Sequence, residues 1–119
     1  MAGLPAVIEL NPRPLPDAEV VARMFRTLTD ATHLRIVELL IDEDQLHQID
    51  IVRRLRASQG RVSEHLASLT CCDFVATRSE GRKTLYRVAD ERVRSLFSAA
   101  HGFLGSNEAA IANCRRVGR

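Results

Sequence analysis

The sequence predicts a mainly α-helical domain that carries a single small β-hairpin. Three observations predict it. Apolar residues recur at helical spacing from Val21 to Leu69 and again from Val93 to Leu104. A short helical segment ends at the turn Arg56-Ala57, and the next, beginning at Ser58, has one apolar stripe and one polar face. The period then changes to extended after Asp73 and returns to helical after Asp90. Two short helices across a tight turn are a helix-turn-helix, and a hairpin directly after the second is a wing. The predicted architecture is therefore a winged helix-turn-helix.

Taken in order, residues 1–16 hold all four prolines and read as an extended arm. Asp17 then serves as the N-cap of a first helix, with Val21, Met24, Phe25 and Leu28 at i, i+3, i+4 and i+7. Thr29-Asp30 caps a second helix, with Leu34, Val37 and Ile41 on one stripe and Ile36 and Leu40 beside it. That breadth of apolar surface marks it as the central core helix. After the polar break Asp42 to Gln45, Leu46, Ile49, Val52 and Leu55 mark a short third helix. Ser58 caps the fourth, where Val62, Leu66 and Leu69 form the apolar stripe. Phe74 to Arg78, a turn at Ser79 to Arg82, and Lys83 to Val88 make the hairpin, with Arg78, Arg82 and Lys83 at its tip. Asp90 caps a last helix along Val93, Leu96, Phe97, Ala100 and Leu104. Gly105-Ser106 is expected to interrupt it before a C-terminal tail, residues 105–119, that carries Cys114. The folded domain is thus residues 17–104. Val21, Phe25, Leu96, Phe97 and Leu104 offer more apolar stripe than one small domain covers, so the terminal helices are expected to pair in a homodimer.

Length and composition set the bounds. A chain of 119 residues is one domain with one core. No apolar run approaches membrane-spanning length, and the start, with Glu9 and no positive segment, does not resemble a secretory signal. Three cysteines, two of them adjacent, argue against a disulfide framework and for a reduced, cytoplasmic setting. Residues 1–52 carry 4 basic and 9 acidic side chains, whereas 53–94 carry 10 basic and 5 acidic. A basic middle after an acidic start suggests a patch for a polyanion, although charge alone fits an unevenly charged solvated face equally well.

The two ends of the segment Ser58 to Val75 differ in chemistry. Its first turns expose Gln59, Gly60, Arg61, Ser63 and Glu64, and the first turn of such a helix is where side chains reach base edges in the major groove. Arg61 suits guanine and Gln59 adenine, while Glu64 accepts from a cytosine amine or discriminates against other sites. The far end carries Cys71-Cys72. A lone cysteine is usually a small core residue, but two adjacent ones on a helix point about 100° apart and cannot both be core. Thiolates select soft ions, and one ion can be shared only where the backbone leaves helical geometry, as it should near Asp73. His33, His65 and His101 read as packing histidines, and His47 as an exposed residue opening the third helix.

Three stretches carry a family resemblance: Leu28-Thr29-Asp30-Ala31-Thr32-His33-Leu34-Arg35-Ile36, then Ser58-Gln59 with Val62-Ser63-Glu64-His65-Leu66, then Glu80-Gly81-Arg82 with Tyr86-Arg87-Val88. Over roughly residues 20–104 the chain resembles the ArsR/SmtB family of metal-responsive winged-helix repressors. The resemblance implies a homodimer joined through the first and last helices, bound to double-stranded operator DNA as the apo form and weakened by metal. The matched Ser63 and His65 are expected to contact phosphate, and Ser58 with the wing residues Arg78, Arg82 and Lys83 completes the expected DNA face. The chain departs from the family pattern in three places. Arg56 stands where Gly is usual in the turn. Leu46-His47-Gln48-Ile49 lacks the Cys-x-Cys site, and Asp90-Glu91-Arg92 lacks the Asp-x-His opening of the last-helix site. The remaining thiols, Cys71, Cys72 and Cys114, are similar to the layout of the cadmium- and lead-sensing branch. Cys72 and Cys114 match it in spacing, but Ser68 stands where that branch has a thiol. Mercury(II) is therefore the first expectation for the effector and cadmium(II) or lead(II) the second, with no obligatory cofactor.

The leading expectation is a repressor released by a soft ion. The alternatives are a thiol redox-sensing repressor and a constitutive DNA-binding protein with structural cysteines. An enzyme is not expected, because the chain has no phosphate loop, no acid–base carboxylate pair and no histidine placed by sequence to activate a cysteine.

Overall fold

The computed structural model describes residues 16–116. The proposed N-terminal arm, apart from Pro16, lies outside the described residues. Along the described chain α1 spans Pro16–Thr27, α2 Ala31–Glu43, β1 Leu46–His47, α3 Gln48–Leu55, α4 Gln59–Cys71, β2 Val75–Glu80, β3 Lys83–Val88 and α5 Glu91–Asn113. The strands form one antiparallel sheet in the order β1-β3-β2. This is a winged helix-turn-helix, with α3 and α4 as the helical pair and β2-β3 as the wing.

Helix α2 occupies the centre, as its sequence predicts. Its start is fixed by Asp30, which caps the helix by accepting the Thr32 N–H at 2.7 Å. Ile36, Val37 and Leu40 are fully buried. They form one core with Ile51 of α3, with Val62, Leu66 and Leu69 of α4, with Phe74, Val75 and Val88, and with Val93 and Phe97 of α5. Leu34 and Ile41 lie at its margin and are half-buried. Each fully buried aliphatic side chain contributes roughly 1.5–3 kcal/mol of transfer free energy. α4 is therefore held along its length by three such residues.

The structure differs from the sequence reading in several places. Helix α1 begins at Pro16, so Asp17 lies in its first turn and is not the cap. Proline is well suited to that first position because its missing N–H would have no helical partner. Leu46 and His47 belong to no helix. They form a two-residue strand on β3, with Leu46 opposite Tyr86 and His47 opposite Leu85. Their spacing to Ile49 looked helical, but ladder hydrogen bonds to the wing outcompete one further turn. His47 is accordingly half-buried and not exposed, with its Nε2 3.1 Å from Glu80 Oε1.

The hairpin turn is tighter than expected. Ser79 and Glu80 remain in β2, and Glu80 pairs with Lys83 across the two-residue loop Gly81-Arg82. Gly81 has φ +64°, a left-handed conformation that glycine adopts at little cost.

The last helix shows the largest difference. It runs unbroken through Gly105-Ser106 to Asn113, 23 residues in all, so residues 105–113 are helix and not a separate tail. One glycine costs a helix only about 1 kcal/mol relative to alanine. Here the side chains of Ser106 and Asn107 donate back to the Phe103 carbonyl at 3.3 and 2.9 Å, and the Ala109–Ala112 stretch that follows favours helix. Cys114 is the C-cap of this helix.

Candidate nucleic-acid interface and thiol site

The recognition helix begins where the sequence places it. Ser58 has extended backbone, and its hydroxyl accepts the Arg61 N–H at 3.2 Å. The preceding helix ends at Arg56, whose φ of 54° and ψ of 39° are left-handed. A non-glycine residue costs about 1 kcal/mol there. This conformation turns the chain between α3 and α4, and Arg56 itself is exposed. Gln59, Gly60, Arg61, Ser63 and Glu64 are all exposed on the first turns of α4, along with the cap Ser58. Gln59 shares a cleft of about 270 Å³ with Arg82 and Lys83 of the wing and Ile49 of α3. The helix start and the wing therefore face the same side.

Two expected members of that face are placed differently. Arg78 is not at the wing tip: it lies within β2 opposite Leu85 and pairs with Glu80 at 3.7 Å. The longer strand created by the two-residue turn carries it back from the tip. His65 points inward, with only 16% of its side chain exposed. It packs against α2 with its ring edge-on to that of His33, centroids 4.8 Å apart, and with Nδ1 3.9 Å from Asp30 Oδ2. Because α4 turns 100° per residue, the face that seats Leu66 and Leu69 on α2 also carries His65. This position takes His65 away from the expected phosphate contact and gives it the packing role read from the sequence. His33 is likewise half-buried, whereas His101 is exposed and meets Glu38 at 2.9 Å.

At its far end α4 stops in a Schellman motif. Cys72 is the C-cap, and Asp73 follows with φ 63°. The Phe74 N–H donates to Leu69 O at 3.0 Å and the Asp73 N–H to Thr70 O at 3.1 Å. Leu69 and Phe74 are both buried, which supplies the apolar contact such a cap requires. The backbone thus leaves helical geometry directly after Cys71, as the sharing of one ion by adjacent thiols demands. All three cysteines are exposed, so none fills the core of the described chain.

Cys71 and Cys72 open onto a groove of about 850 Å³ between α1 and the second half of α4, shared with Ser68, Thr27, Met24 and His33. Cys72 Sγ lies 3.5 Å from Thr27 Oγ1. The sequence reading missed the contribution of α1, and nothing in the spacing of Thr27 and Cys72, 45 residues apart, could have revealed it. Cys114 does not join the other two. Among the described residues, the group of three or more ligand-bearing side chains drawn together in one chain is Asp30, His33 and His65.

A winged helix with a polar reading helix, basic wing and core-held α4 is a DNA-binding regulator. Comparison with known proteins identifies the kind. Residues 30–77 match the model of the bacterial regulatory proteins of the arsR family. A probable mercury resistance operon repressor of Streptomyces lividans is 33% identical over 117 residues, covering 98% of this chain and 90% of that protein. A homologue of the cadmium resistance regulatory protein CadC from Staphylococcus aureus is 32% identical over 76% of this chain and 73% of its own. In structure, the chain is similar to a homodimeric winged helix-turn-helix DNA-binding domain from Mycobacterium bovis, with a TM-score of 0.69 and 24% identity. That match covers 100% of this chain and 98% of the other. The chain belongs to the arsR family of bacterial transcriptional regulators. Among the described residues no helix is long and apolar enough to cross a membrane.

Proposed function

We propose that this protein is a metal-responsive transcriptional repressor, working in a reduced cytoplasm, that leaves its operator when a soft ion binds Cys71, Cys72 and Cys114. The observation that carries the reading is the chemistry of α4: one helix has exposed polar side chains, Gln59 and Arg61 among them, at its start and an exposed pair of thiols where its backbone unwinds. The mercury resistance repressor that matches nearly the whole chain supports it. Soft thiolates suit mercury(II) first. Cadmium(II) or lead(II) come second, because Ser68 lines the same groove without a thiol.

The working unit is a homodimer. Val20, Val21 and Phe25 on α1 and Phe103 and Ile111 on α5 are exposed large apolar residues, Val20 and Phe103 to 63% each. Phe97, expected in that interface, is instead 5% exposed in the domain core, while Leu96 and Leu104 are half-buried beside it. Pairing along α1 and α5 covers this surface and brings the α5 end of one protomer, with Cys114, towards the groove of the other. Drawing sulfurs from two protomers to bonding distance, roughly 2.3 Å for zinc and longer for heavier ions, shifts α4 relative to its partner helix and spoils the spacing of the two half-sites. Effective release requires the ion to favour the free dimer by a few kcal/mol.

The test replaces each cysteine with serine in turn and follows thiolate–metal absorption together with operator release by gel shift. Release at the wild-type ion concentration by all three variants would sink the reading. Peroxide titration of the wild type under metal-free conditions separates ion sensing from thiol oxidation.

A further inference from the structure

The thiol reading leaves unused the place where α2 meets the middle of α4. There Asp30, His33 and His65 each present a ligand atom within 4.8 Å of the other two. We propose that these three side chains form a second cation site, for a borderline divalent ion such as zinc(II), which ties the start of α2 to the centre of the recognition helix.

The hydrogen bonding around the trio supports this. His33 Nδ1 lies 2.6 Å from the Thr27 carbonyl oxygen. A carbonyl only accepts, so Nδ1 carries the proton and Nε2 keeps its lone pair. Fixing one ring nitrogen on a backbone carbonyl is how metal-binding histidines are commonly oriented. The Asp30 carboxylate divides its two oxygens. Oδ1 accepts the Thr32 N–H that caps α2, and Oδ2 faces His65 Nδ1 at 3.9 Å, beyond hydrogen-bond range. The three ligand atoms are therefore drawn together without a direct hydrogen bond between Asp30 and His65. Tetrahedral ligands at about 2.0–2.1 Å from zinc are roughly 3.4 Å apart, so the trio needs a contraction that side-chain rotation can supply. Two imidazoles and a carboxylate suit a borderline ion, whereas the thiols suit a soft one. Asp30 is largely open to solvent and gives the ion a path in, and the remaining coordination position falls to water.

The alternative is that the trio is only a helix cap with two packed rings. Cobalt(II) and zinc(II) titration of the full chain with Cys71→Ser, Cys72→Ser and Cys114→Ser separates the two, because the thiol site is then gone. The expected result is one equivalent of cobalt(II), with ligand-field absorption and no thiolate charge-transfer band, displaced by zinc(II). In that background His33→Gln and His65→Gln should each weaken binding by at least ~10-fold. Asp30→Asn should do the same with an unchanged melting temperature, because asparagine caps a helix as well as aspartate does. This variant keeps the test valid if loss of a packed histidine unfolds the chain. Absence of a bound equivalent in the cysteine-free chain overturns the proposal, as does binding that Asp30→Asn leaves unaltered. The result stands apart from the thiol reading, which can fail while this site binds, and the reverse.

Discussion

The two ends of α4 are built on opposite principles. The N-terminal end is a standard cap: Ser58, in extended backbone, satisfies a free N–H, and the exposed side chains that follow are those proposed to meet DNA. At the C-terminal end a left-handed Asp73 stands where glycine is favoured, and two exposed thiols flank the point at which the helix unwinds. Between them Val62, Leu66 and Leu69 are at most 1% exposed. The contrast teaches how one helix can serve two purposes. Recognition needs a preorganised end, whereas sensing needs an end whose geometry a ligand can change. The buried stripe makes a displacement at one end a displacement of the whole rod.

The comparison breaks most severely if the rod itself is loosened. Leu66→Ala removes a fully packed side chain from the centre of the core and should cost roughly 2–5 kcal/mol of stability, read from urea unfolding. Operator binding and ion response should fall together. If only one falls, the two ends are not mechanically joined.

Next in size is the sensing end. Cys72→Ser should leave apo operator affinity unchanged while removing the ion's effect, a loss of about 1–3 kcal/mol of coupling between ion and DNA. Gel shifts with and without mercury(II) measure it. Arg61→Ala should have the converse effect, weakening operator binding by about 1–3 kcal/mol and relaxing base preference with ion binding intact. Arg82→Ala or Lys83→Ala should weaken binding to all sequences alike and flatten its salt dependence. An unchanged operator affinity in Arg61→Ala would mean that α4 does not enter the groove as drawn.

A smaller effect separates the two left-handed positions that flank α4. Asp73→Gly and Arg56→Gly should each stabilise the domain by about 1 kcal/mol, because glycine removes the steric cost of positive φ. Asp73→Gly should leave operator affinity alone, whereas Arg56→Gly removes a cation beside the DNA-facing turn.

The smallest effect concerns α5, away from both ends. The Arg92 guanidinium, with further help from its N–H, holds the Asp90 carboxyl below the ordinary 3.8. A carboxylate whose native pKa is depressed contributes stability above its unfolded pKa and loses it as pH falls through the native value. As pH falls through and below the ordinary 3.8, the wild type should therefore lose more stability than Asp90→Asn, which keeps a cap without a titrating group. Urea midpoints across that range report it.

Much of this was legible in the sequence because it depends on neighbours along the chain. Apolar periodicity located α2 and α4, Asp30, Ser58 and Asp90 announced their caps, and the shift to alternating residues after Asp73 announced the wing. The left-handed turn at Arg56 was hinted at only by the family resemblance, in which glycine is usual at that place. Features that depend on segments far apart in the chain were decided by the tertiary structure alone. Leu46-His47 became a strand only because β3 offered it a free edge; the run of α5 past Gly105 is by contrast a local matter, since one glycine costs a helix too little to end it. His65 was taken from the DNA face by the packing of α4 on α2, which set it beside His33 and Asp30. The approach of α1 to the end of α4 laid Thr27 against Cys72. Periodicity specifies which face of a helix is apolar, but which polar groups meet behind that face depends on how two helices cross, and that angle is a property of the assembled core.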